Sequence, residues 1–178
     1  MRRLLHSSKT ILLFLSISAL FVLSSQNAYS SDAGCASAVP VYSGVPYSSN
    51  TSYYDRTVCS YGCSSWSEPG RDAVHSFTTS YIQSNITAAL SNMSADLDVF
   101  ILQNNQCDSS GCMAGDSSAT YPYAPRGTHY IVVDGFYSAP VSNCEFTALG
   151  AEGPYTLTVT EQCIVAKSLT PGEVYSGE

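Results

Sequence analysis

Seven cysteines, Cys35, Cys59, Cys63, Cys107, Cys112, Cys144 and Cys163, can either ligate a metal or cross-link the chain. Neither Cys59-x-x-x-Cys63 nor Cys107-x-x-x-x-Cys112 has the two-residue spacing of a zinc knuckle, and His75 and His129 lack ligand spacing. Cross-linking is the better reading if the chain reaches an oxidising compartment. The string Asp108-Ser109-Ser110-Gly111 is turn-forming and predicts a Cys107–Cys112 pair that fixes a small loop. Pairing of the other five stays open. An odd count leaves at least one thiol free, bonded to another chain or modified.

Asp96 and Asp98 are the next chemically suggestive residues. Two positions apart on a strand, they face the same side and repel unless a cation, an arginine or solvent compensates. Calcium takes such oxygen ligands, which makes these two the calcium candidates. The chain lacks the dense acidic loop of a strong site, so a solvated strand start is the preferred reading, with no cofactor. Asp72 and Asp134-Gly135 read as turn residues, their carboxylates accepting backbone N–H bonds and the glycine tolerating positive φ. Catalytic patterns are missing: there is no Gly-x-Ser-x-Gly and no His-Glu-x-x-His. His75 and His129 fall on predicted strands. The chain reads as a non-enzyme. The remaining candidates are aromatic: Trp66, the Tyr53-Tyr54 pair, and Tyr121 and Tyr123 around Pro122 could form a stacking platform for a polysaccharide or protein polymer.

The elements that position these residues begin after an export signal. Met1, Arg2, Arg3 and Lys9 give a basic start, residues 11–23 are apolar apart from Ser16 and Ser18, and Ala28-Tyr29-Ser30 has small residues where a signal peptidase reads. The apolar run is shorter than the roughly 18 residues a membrane span needs, which argues for a cleaved peptide over 1–30 and a secreted, extracellular or periplasmic product with no transmembrane helix. Asp32 stands where a lipobox carries an apolar residue, which argues against lipid anchorage through Cys35. Removing residues 1–30 leaves 4 Lys+Arg against 14 Asp+Glu, so the net charge moves from −7 to −10. That surface repels phosphate backbones and excludes nucleic acid as a partner.

The mature chain has a period of two. Tyr155, Leu157 and Val159 alternate with threonines, and Ile86, Ala88 and Leu90 repeat the pattern. Residues 97–102 and 130–133 are continuously apolar, as central strands are, and 73–79 make another strand. Gly, Pro, Asn and Ser clusters at 62–70, 104–111, 124–127 and 138–143 separate the runs. The expectation is all-β: a single antiparallel β-sandwich, jelly-roll-like, stapled by disulfides, over residues 35–163 after a short 31–34 segment. Val174-Tyr175-Ser176-Gly177 repeats Val41-Tyr42-Ser43-Gly44, so the 164–178 tail could open a second copy.

Four motifs follow one another in order: Gly70-Arg71-Asp72-Ala73-Val74-His75-Ser76-Phe77, Asp96-Leu97-Asp98-Val99-Phe100-Ile101-Leu102, Gly127-Thr128-His129-Tyr130-Ile131-Val132-Val133-Asp134-Gly135-Phe136 and Gly153-Pro154-Tyr155-Thr156-Leu157-Thr158-Val159. Together they resemble the bacterial pre-peptidase C-terminal domain, a small β-sandwich appended to secreted peptidases and also found alone or in arrays. The resemblance covers nearly all of the mature chain. His75 departs from the usual aromatic, and Cys59 and Cys144 look like additions. It implies a secreted binding or adhesion module for a cell surface, polymer or partner protein; alternatively a structural or chaperone-like appendage of a larger secreted hydrolase, or a calcium-stabilised module.

Overall fold

The computed structural model describes residues 33–138 and 150–164. The signal segment, Cys144 and the repeat in the tail lie outside the described residues. Nine strands form two sheets: β1 (Val39–Pro40), β2 (Tyr47–Asn50), β3 (Ala73–Thr78), β4 (Gln83–Ser91), β5 (Leu97–Leu102), β6 (Cys112–Asp116), β7 (Ser118–Pro125), β8 (Thr128–Gly135) and β9 (Pro154–Cys163). One sheet runs β1-β3-β8-β5-β6 and the other β2-β9-β4-β7. All pairings are antiparallel except the short β1 on β3.

The strand periods explain the layers. In β9, Tyr155, Leu157 and Val159 are buried and the intervening threonines are not, so one face meets the opposite sheet. Ile86 and Ala88 of β4, Phe77 of β3, Val99 and Ile101 of β5 and Ile131 and Val133 of β8 complete that inner core. The runs in β5 and β8 are continuous because their other face is buried too. There Val74, Phe100, Leu102 and Val132 pack under a cover made of Ala33, Val58 and Tyr61. Tyr61 lies flat on Phe100, ring centroids 3.7 Å apart and planes within 4°. Gly62 lets the cover touch down: a Cβ there would stand 2.3 Å from the Ser110 carbonyl oxygen, which accepts no side chain so close.

This cover corrects the expected Cys107–Cys112 pair. Asp108 accepts the Ser110 N–H at 2.9 Å and closes a 3₁₀ turn over Ser109–Gly111, after which Cys112 enters β6. The two sulfurs therefore serve different segments. Cys107 bonds Cys35, with Cα atoms 5.7 Å apart, and Cys112 bonds Cys63, at 5.2 Å. Cys59 is disulfide-bonded as well, and Cys163, exposed at the end of β9, is free. The Cys35 sulfur is thus committed to a cross-link rather than a lipid.

A second correction concerns Gly135. Its φ is not positive; the residue is required by close approach, since a Cβ would meet the Ala151 carbonyl oxygen at 1.7 Å. Strands β6 and β7, which the sequence pattern did not disclose, carry Gly115, Pro122 and Pro125 and pass the chain from one sheet to the other, where β7 pairs with β4 through a bulge. There Pro122 and Tyr123 oppose the single Asn85, and Tyr123 takes φ 57°.

Candidate functional site

At one end of the cover, carboxyls line up across three neighbouring strands. Asp98 on β5 pairs in register with Asp134 on β8, and Asp72 sits one residue before the Ala73–Val133 pair of β3 and β8. All three face the cover. Asp72 accepts the Thr57 N–H, the Thr57 hydroxyl at 2.8 Å and the Val58 N–H at 3.0 Å, so it holds the cover's entry. Asp134 accepts the Tyr61 hydroxyl at 2.9 Å and its neighbour Gly135 N–H at 2.6 Å. Asp72 was expected to bind backbone N–H groups and does. Asp134 does so too, through Gly135, and from a fully buried position it also ties sheet to cover through Tyr61.

Glu68 descends from the cover onto this row. It is fully buried, neither carboxyl oxygen makes a well-formed hydrogen bond, and Asp98 and the Trp66 indole lie beside it. Burial, then the Asp98 charge, pushes Glu68 up to about 9. Burial likewise raises Asp98, Asp72 and Asp134, Asp134 well above the usual carboxylate range, and lifts Tyr61. The expected compensators of Asp98 were a cation, an arginine or solvent; its buried neighbour is Glu68, whose raised pKa favours the neutral acid. Asp96 stays exposed ahead of β5. Among the described residues no three His, Cys, Asp or Glu side chains are grouped to hold a metal ion.

Beside Asp72 the surface dips into a cavity of about 210 Å³, walled by Tyr53, Tyr54, Asp55, Thr57 and Val74 with Ser37 at its rim. The tyrosines are placed by a capped 3₁₀ turn over Thr51–Tyr53. Asn50 accepts the Ser52 N–H, and buried Thr51 is stapled to Gly153 through its N–H and hydroxyl. Tyr54 packs its ring on the inner core, while Tyr53 is 78% exposed. Two arginines flank the cavity in sequence, and both ion-pair with Glu152: Arg56 directly and Arg71 at 3.2 Å. No described residue pairs with the exposed Asp55 carboxylate.

The five predicted aromatic residues do not form one platform. Only Tyr53 and Tyr54 line the cavity. Trp66, 38% exposed, belongs to the Glu68 end of the cover. Tyr121 and Tyr123 lie on β7, the edge of the other sheet; Tyr121 packs edge-on against His129 and Tyr123 is 64% exposed. His75 and His129 are buried in the inner core, bonded to the Tyr155 hydroxyl at 2.8 Å and the Pro125 carbonyl at 2.9 Å. Burial depresses His75 to about 4. Neither can reach a substrate in solvent. Glu68 and Asp55 were missed, and only the position of Asp55, immediately after Tyr53-Tyr54, offered a signal.

The disulfides place the folded chain in an oxidising environment, outside a reducing cytoplasm. Among the described residues no helix is long and apolar enough to cross a membrane. No family model matches the chain, and no curated protein matches it. Among solved structures it is similar to Aeromonas hydrophila PliG, a periplasmic lysozyme inhibitor of g-type lysozyme, with TM-score 0.42 and 13% identity over 70% of this chain and 96% of that one. It is also similar to the pre-peptidase C-terminal domain of collagenase from Bacillus anthracis, with TM-score 0.39 and 12% identity over 69% of this chain and 94% of that one.

Proposed function

We propose that this chain is an exported, non-catalytic β-sandwich module that binds a surface, polymer or partner protein through the Tyr53–Tyr54 cavity. The observation that carries this reading is the cavity itself. Its lining offers the exposed Tyr53 ring, Tyr54 and carboxylates, and among the described lining residues the hydroxyls of Ser37 and Thr57 have no histidine beside them to act as a base. Aromatic rings at a concave site supply contact area at low entropic cost, which suits adhesion. The test is adsorption of the mature protein to cellulose, chitin, peptidoglycan, collagen and intact cells. Retention on one of these that is lost in Tyr53→Ala, and kept in Trp66→Ala, supports the reading. Retention that is indifferent to Tyr53 and Tyr54, or none on any matrix or cell, counts against it.

A further inference from the structure

We infer that the Tyr53–Tyr54 cavity takes the cationic end of a lysine or arginine side chain presented by a basic partner protein, an inference that rests on this cavity being the binding surface. The lining includes the exposed Tyr53, Tyr54 and the unpaired, exposed Asp55 carboxylate. Cations rest on aromatic faces, and an adjacent carboxylate adds direction and charge. Neither Arg56 nor Arg71 lines the cavity: both ion-pair with Glu152, and Arg71 Nη1 also donates to the Tyr54 carbonyl at 2.6 Å.

Size narrows the occupant. At about 210 Å³ the cavity is below the roughly 300–1,000 Å³ of sites that enclose a whole small molecule, so it suits the end of one side chain. Charge narrows it further. Asp72 at the cavity's inner wall is engaged by Thr57 and Val58, which leaves Asp55 as the one uncommitted carboxylate of the lining. One carboxylate beside the exposed Tyr53 ring meets a soft, extended organic cation better than a hard divalent ion that needs about six to eight oxygens. The acidic chain, with 14 Asp+Glu against 7 Lys+Arg, attracts a basic protein and repels anionic chains.

The test is NMR titration of the oxidised mature protein with Nα-acetyl-lysine methylamide, Nα-acetyl-arginine methylamide, the neutral Nε-acetylated lysine analogue, cellohexaose and calcium chloride, followed by a peptide bearing one central lysine. Movement of the Tyr53, Tyr54 and Asp55 signals by either cationic amide, about tenfold weaker in Asp55→Asn and unchanged in Asp116→Asn, is the expected result. Tighter binding of the peptide than of the free amide assigns the cation to a protein. Equal movement by the neutral analogue, by cellohexaose or by calcium, or tighter binding of the free amide, overturns the inference. Pocket signals that ignore every cation, while Tyr53→Ala still abolishes matrix adsorption, overturn the inference and leave the binding reading standing. Asp55 and Tyr53 are exposed, so neither variant threatens the fold.

Discussion

The two faces of the β1-β3-β8-β5-β6 sheet are buried in different ways. Its inner face meets a second sheet, and aliphatic side chains from β3, β4, β5, β8 and β9 interlock with no disulfide among them. Its outer face meets irregular chain, the 33–38 segment and the 54–70 loop, and two disulfides anchor that chain to residues 107 and 112. A sheet brings its own hydrogen-bond ladder to an interface, whereas a loop must be fastened by other means. The difference separates the frame from the candidate site. The regular half supplies a rigid frame, and the fastened half supplies the cavity and the buried carboxyls.

The largest effect comes from cutting the inner core. Ile131→Ala removes buried contacts from the centre of β8 and is expected to lower the unfolding free energy by about 4 kcal/mol, measured by urea denaturation, with core and cover lost together. Replacing Cys63 and Cys112 with Ala breaks the other half alone. Hydrogen exchange should show the opening of residues 55–70 made easier by about 3 kcal/mol, with β4 and β9 protection retained. Equal losses in both regions would show that they form a single cooperative unit.

Titration separates the halves more finely. Glu68, near 9 when folded against an ordinary 4.5, favours the folded state fully only below pH 4.5, and that stability is lost as pH rises towards 9. Asp72, Asp98 and Asp134 are raised and act in the same direction. His75, near 4 against an ordinary 6.5, acts oppositely: its contribution is present above pH 6.5 and lost as pH falls through 4. The cover therefore weakens in alkali and the inner core in acid. Glu68→Gln should stabilise the protein by about 2 kcal/mol at pH 8 and much less at pH 5, read from melting curves across pH. The smallest effect is Tyr53→Ala, which should shift stability by less than about 0.5 kcal/mol while abolishing binding.

The inner core was legible in the sequence because a strand with one wet face writes a period of two, as Tyr155, Leu157 and Val159 do. The unbroken runs in β5 and β8 announced that both faces are buried, but not by what. A loop cover has no period, so Val58 and Tyr61 left no pattern. The Cys107–Cys112 expectation failed for a related reason: closeness in sequence is a local signal, and the cover's need for anchors is a long-range one. Glu68 was invisible because a buried carboxyl beside Asp98 looks, in a string, like any surface glutamate. Tyr53 and Tyr54 were recognised by type; that they line this cavity depends on the capped turn and on Gly153, about a hundred residues away.

Hydrogen exchange on the mature protein, followed before and after mild reduction at pH 7, tests most directly whether a fastened cover rides on an independent sandwich. Segments 33–38 and 55–70 should lose protection once Cys35–Cys107, Cys63–Cys112 and the disulfide of Cys59 are reduced, while β4, β8 and β9 keep theirs. Simultaneous loss of protection in all of them, or a cover that stays protected without its disulfides, would contradict the account.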